Sequence, residues 1–182
     1  MNEDCFYDLS ETEMLTLWKR VHRLEDLRHE CVIEREDGID LDAYLTEQMR
    51  RWYAELLLTA PSHLLPIEDL SNETALTVDR EHGFVVARPP LRYVRPVEWR
   101  LSSWVAGVRT FAEPDSDVVR RQATPWLRAG TTYPVVADYG DRLLLYGIDD
   151  ETPVLATALS VVKPSGGRYR FHISLLPCQH AR

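Results

Sequence analysis

Hydrophobic positions in the first third of the chain recur every three or four residues. Ser10-Glu11-Thr12-Glu13 has the pattern of a capping box, and Met14, Leu17, Trp18, Val21, Leu24, Leu27 and Cys31 follow on one face. This spacing predicts a helix over residues 10–33. Gly38 interrupts it and Asp40 supplies an N-cap. Leu41, Tyr44, Leu45, Met49, Trp52, Tyr53, Leu56 and Leu57 then repeat the stripe until Pro61, predicting a second helix over 41–59. Two stripes of this width pack on each other as a helical hairpin over residues 1–60, with Glu25, Glu36 and Glu47 left outside.

The pattern changes after the second helix. Pro61 and Pro66 bracket SHLL, and with IEDLSNET they predict an irregular connection over 61–75. From Leu76 onward, short runs of Val, Leu, Tyr, Phe and Trp are separated by turn signals at His82-Gly83, Pro89-Pro90, Tyr139-Gly140-Asp141, Asp149-Asp150 and Pro164-Ser165-Gly166-Gly167. Within this region PVVADYGDRLLLYG reads as a hairpin. RYRFHISL alternates, with Tyr169, Phe171, Ile173 and Leu175 on one face. RYVRPVEWRLSSWVAGV reads as a strand, a bend and a second strand, and EPDSDVVRRQ opens a short helix capped by Asp115 or Ser116. The expected fold class is α+β: an N-terminal helical hairpin followed by a mainly antiparallel β domain over 76–182.

Composition narrows the possibilities. A chain of 182 residues, 45% of them hydrophobic, can bury a core of its own. No apolar run reaches the roughly 18 residues of a membrane span. The start, MNEDCFYDLSE, is acidic where a signal peptide is basic and then apolar, so a soluble protein made in the cytoplasm is expected. Cys5, Cys31 and Cys178 have no CxxC spacing and read as reduced thiols. The net charge of −8 is concentrated at the start: residues 1–50 hold 14 acids and 6 bases, while residues 101–182 hold 8 and 9. That balance argues against a DNA-binding surface, which needs clustered cations to displace counterions.

No convergent catalytic set stands out in the sequence. GxSxG, Walker, GxGxxG and HExxH signatures are absent. His22 and His29 lie two helical turns apart, too far to share one metal without other ligands, and Cys178 and His180 stand near the terminus without partners in sequence. EDGIDLDAY, residues 36–44, lacks the alternating oxygen ligands and final glutamate of a calcium loop and reads as a charged turn into an N-cap. Asp115 and Asp117 form a DxD pair that fits a helix start. His172, Asp138 and Tyr139 are the residues an unrecognised enzyme would draw on, though nothing in their spacing recommends them. No catalytic residue, metal site or cofactor is assigned.

The large side chains outside the helices are more informative. RRQATPWLRAGTTYPVV, residues 120–136, holds three arginines, a tryptophan, a tyrosine and two prolines, with no regular periodicity in its first half. A loop that only connects is built of small polar residues, whereas these types gain most free energy when buried against a partner. Trp99 and Trp104 lie upstream among Arg92, Arg95 and Arg100. Two readings stand: a core with tryptophans at its edge, or a surface completed by another chain. The interface candidates are Arg120, Arg121, Trp126, Arg128 and Tyr133 in the loop, with Trp99, Trp104 and Arg95.

HLLPIEDL, RYVRPVEWRLSSW, VRRQATPWLRAGTTYPVV and the hairpin with DRLLLYG, over about residues 63–147, resemble the ring or adaptor proteins at the head-to-tail connector of tailed bacteriophages and prophages. Those proteins combine an N-terminal helical part, a Leu-Pro-Glu/Asp stretch, an Arg-Pro-Val stretch beside a Ser-Gly-Trp-like turn, and a Gln-x-Asn-Pro-Tyr-x-Arg-Gly loop. This chain departs at Thr124-Pro125-Trp126-Leu127-Arg128-Ala129-Gly130, with one residue inserted before the glycine. The resemblance implies a structural virion protein without catalysis: a subunit of a homo-oligomeric ring on the portal, touching other neck or tail proteins. DNA would pass through the channel without specific binding, past an acidic wall that does not hold it. The protein would be made in the host cytoplasm and end in the virion neck. A small cytoplasmic protein-binding module of immunity or regulatory type, acting as a monomer or dimer, is the alternative.

Overall fold

A capping box opens the first helix. In the computed structural model, which describes residues 5–22, 40–149 and 152–176, the Ser10 hydroxyl accepts from the Glu13 N–H while the Glu13 carboxylate accepts from the Ser10 N–H at 2.8 Å. Helix α1 spans Glu11–Val21 and ends at its C-cap His22, short of the predicted end at residue 33; residues 23–33 lie outside the described residues. Helix α2 spans Leu41–Thr59 behind its Asp40 cap, over the predicted range. Strand β1, Phe6–Leu9, precedes both helices. Among the described residues eight further strands follow them: β2 (Ile67–Asp69), β3 (Ala75–Asp79), β4 (Phe84–Arg88), β5 (Tyr93–Leu101), β6 (Val135–Asp138), β7 (Leu143–Tyr146), β8 (Leu155–Val162) and β9 (Tyr169–His172), with a short helix α3 (Asp117–Arg121) after β5. All strand pairings in the described sheets are antiparallel. The fold is α+β, with the helices near the N-terminus and antiparallel sheets following.

The chain divides into two compact units, 1–66 with 164–182, and 67–163. This differs from the expected boundary, which assigned everything from residue 76 to the β domain. The reason is β9, which pairs with β1 rather than with the other late strands, in the register Phe6↔His172 to Leu9↔Tyr169. Around this two-stranded sheet the first unit builds an aromatic core. Trp52 meets Trp18 at 5.2 Å and Phe171 at 5.5 Å between ring centroids, and Tyr53 meets Tyr169 at 4.9 Å. Met14 and Met49 are fully buried beneath. The two helices run in opposite directions: Lys19 at the end of α1 pairs with Asp42 at the start of α2, and Glu11 at the start of α1 with Arg50 further along α2. The predicted alternation in β9 holds through Tyr169 and Phe171, then a 3-10 turn at Ile173–Leu175 breaks it and leaves Ile173 exposed.

The second unit holds two sheets, ordered β2-β8-β5 and β3-β4-β7-β6. Side chains of both enter one shared core: Trp99, Leu101, Leu155, Ala158 and Val162 from the first, and Val85, Ala87, Val136, Leu143 and Leu145 from the second. Pro96 is accommodated because β5 is an edge strand with register shifts on either side of it. The predicted hairpin is β6–β7, turning at Gly140. The second strand expected after β5 is reduced to one bridge, Trp99 to Val108. Arg92 fastens the start of β5 by pairing with Glu68 and Glu73.

Candidate interaction site

The outer face of the four-stranded sheet is covered by the segment that begins at α3. Val119 packs there with Ala137, Leu144 and Tyr146, and Phe84, Val86 and Ala129 complete the patch. Ser116 stands at the N-cap position of α3 but makes no side-chain cap bond, its hydroxyl donating to the Glu113 carbonyl at 2.7 Å, and Asp117 of the DxD pair makes an i,i+3 ion pair with Arg120 at 3.3 Å. After α3 the chain cannot continue as a helix, because Pro125 lacks an N–H and restricts the residue before it. It makes a 3-10 turn at Pro125–Leu127 and returns to β6.

Gln122 holds this loop in shape, and sequence reasoning missed it. Its side chain is buried, donating from Nε2 to the Val118 carbonyl at 2.9 Å and accepting from the Ala129 N–H at 2.7 Å. Its own carbonyl accepts from Arg128 Nε at 3.1 Å. A buried primary amide with both ends bonded joins the two ends of the loop as a backbone pair would. Two glycines allow the loop to sit this close. Gly83, at φ 75° in the β3–β4 turn, leaves the space taken by the Arg128 guanidinium, and a Cβ on Gly147, at φ 95°, would come within 2.7 Å of the Gly130 carbonyl.

What the clamp presents outward is apolar and cationic. Trp126 is 82% exposed and Tyr133 83%, with Leu127 and Val118 also exposed. The same segment forms an open groove of about 330 Å³, lined by Val118, Arg121, Gln122, Leu127, Arg128, Tyr133 and Val135. Arg120 is held by Asp117 and by the Asp115 carbonyl, whereas Arg121 and Arg128 have no ion-pair partner among the described residues.

Three of the interface candidates are not on this surface. Trp99 is 0% and Trp104 1% exposed, so both are core residues and the expectation that they face a partner is corrected. Trp99 shares the inward face of β5 with Leu101, and its indole N–H donates to Ser160 Oγ at 3.0 Å. The Trp104 N–H donates to the Gly147 carbonyl at 2.9 Å, so neither indole is left with an unmet donor. Arg95 is half-buried in β5, and burial pushes its guanidinium pKa down. The structure therefore divides the two open readings between residues: Trp99 and Trp104 are core, while Trp126 and Tyr133 face outward.

The residues considered for catalysis make short-range contacts. His172 Nδ1 contacts Ser174 Oγ at 2.7 Å in the first unit, and Asp138 Oδ1 in the second accepts from the Gly140 N–H at 2.8 Å. Tyr139 lies under the Arg142 guanidinium. His29, Cys178 and His180 lie outside the described residues, as do Glu25, Glu36 and the first part of EDGIDLDAY. Among the described residues, no three His, Cys, Asp or Glu side chains are grouped to hold a metal, and no helix is long and apolar enough to cross a membrane. Comparison with known proteins found no matching family, no similar curated protein and no matching solved structure.

Proposed function

We propose that this protein is a structural virion protein, a subunit of the head-to-tail connector ring seated on the portal of a tailed bacteriophage or prophage. Its 120–136 loop is the part that meets a neighbouring protomer. The observation that carries this reading is Trp126: a tryptophan 82% exposed at the tip of a loop whose base is clamped by a buried glutamine. Exposing so large an apolar side chain on a preorganised loop costs the free subunit and is recovered when a partner covers it. A ring subunit has such a partner, because one surface of each protomer meets a different surface of the next. The acidic N-terminal half suits a wall past which DNA slides without being held.

The mass of the purified full chain in solution tests this. A mass of many subunits, reduced to that of the monomer by Trp126→Ala with the circular dichroism spectrum unchanged, supports the reading. A wild-type protein that stays monomeric at tens of micromolar overturns the ring and favours a binding module for some other protein.

A further inference from the structure

We infer that the groove beneath the loop is one half of a head-to-tail self-contact, and that its other half is the start of α2 in a second copy of this chain. The inference deepens the ring reading and rests on it. Residues 118–137 contain three arginines and no carboxylate. Removing those three charges from the chain's net −8 leaves −11 on the rest, so another copy offers carboxylates to Arg121 and Arg128, which have no ion-pair partner among the described residues. The groove also has apolar walls, Val118, Leu127 and Tyr133, so a carboxylate alone does not satisfy it. It needs an apolar side chain beside an acidic one.

The first two turns of α2 present that combination. Leu41 and Tyr44 are exposed, Tyr44 to 56%. Both project from a helix whose buried stripe is Leu45, Met49, Tyr53 and Leu57. Glu47 follows Tyr44 by three residues, which puts it on the neighbouring helical position. It is exposed and has no ion-pair partner among the described residues. Asp42 and Asp40 are already engaged, the first by Lys19 and the second as the N-cap, so Glu47 is the carboxylate free to reach outward. In the contact, Tyr44 fills the groove between Leu127 and Tyr133 while Glu47 meets Arg121. Because the two surfaces differ, the contact repeats from copy to copy and closes into a ring or runs on as a helix.

A charge exchange on the full chain tests this by sedimentation velocity. Arg121→Glu and Glu47→Arg, each at an exposed position, should each weaken self-association at least about tenfold. An equimolar mixture of the two variants, and the chain carrying both changes, should regain it, since every altered surface then meets the opposite charge. Tyr44→Ser should weaken association without altering the fold. Single variants that associate like the wild type, or a mixture that does not recover, overturn the inference. Loss of assembly with Trp126→Ala but not with the α2 variants sinks this pairing and leaves the ring reading standing. A wild-type chain that never associates sinks both.

Discussion

The Ala129 N–H donates to Gln122 Oε1 at 2.7 Å, so one buried side-chain amide closes the loop that carries Trp126. A loop fixed in this way loses little conformational freedom when it docks, which is what separates a preformed contact from a segment that must fold on its partner.

Gln122→Ala should therefore destabilise the second unit by about 1–3 kcal/mol, because it leaves the Val118 carbonyl and the Ala129 N–H without their partner. Hydrogen exchange at Ala129 should rise sharply, and more than at core positions such as Leu145. Unchanged protection at Ala129 would mean that the loop is held by other contacts.

Trp99 and Trp126 should respond oppositely to truncation. Trp99→Ala removes a fully buried ring and its bond to Ser160, costing about 3–5 kcal/mol. Trp126→Ala, at an exposed position, should change the stability of the unassembled chain by no more than about 0.5 kcal/mol. Denaturant unfolding of both variants decides this, and a large loss for Trp126→Ala would show the loop to be part of the core.

Asp69 predicts an acid sensitivity. Burial opposes its ionisation, but the Ser71 and Ala158 N–H groups, at 2.9 and 3.0 Å, outweigh that and hold its carboxyl below the ordinary 3.8. A lowered folded-state value gives stability that is present above the unfolded value and lost as pH falls through the folded one. Asp69→Ala should cost about 1–3 kcal/mol at neutral pH. In thermal melts from pH 7 to pH 3, the gap between wild type and variant should narrow below about pH 4. A gap independent of pH would assign the effect to packing alone.

Tyr53 predicts the converse at high pH. Burial is the main reason its hydroxyl is pushed up from 10.0 to about 12; that hydroxyl also donates to the Arg170 carbonyl and accepts from the Arg170 N–H. A raised folded-state value gives stability that is complete below pH 10 and lost as pH rises through about 12. Tyr53→Phe should be less stable than wild type at pH 8 by about 1 kcal/mol and should show a shallower alkaline loss between those limits. Identical alkaline profiles would rule Tyr53 out as a contributor.

Local pattern by itself determined a good part of this protein. The Ser10 and Asp40 caps, the span of α2, the β6–β7 hairpin and the short helix after Ser116 were all legible, because each is decided by neighbours within a few residues: hydrophobic period, capping side chains, glycine and proline. So was the anomaly of the 120–136 loop, since its side chains do not suit a plain connection. Only the tertiary structure decided which tryptophans are core and which face out. Trp99 and Trp126 sit among similar arginine-rich neighbours, and what separates them is a second sheet that closes over Trp99 on β5 and leaves Trp126 exposed. Pairing of β1 with β9 joins chain segments more than 150 residues apart, and the Gln122 clamp is set by the distance between two ends of a loop. Neither is encoded in local period, because long-range pairing depends on which surfaces the folded chain brings within hydrogen-bond reach.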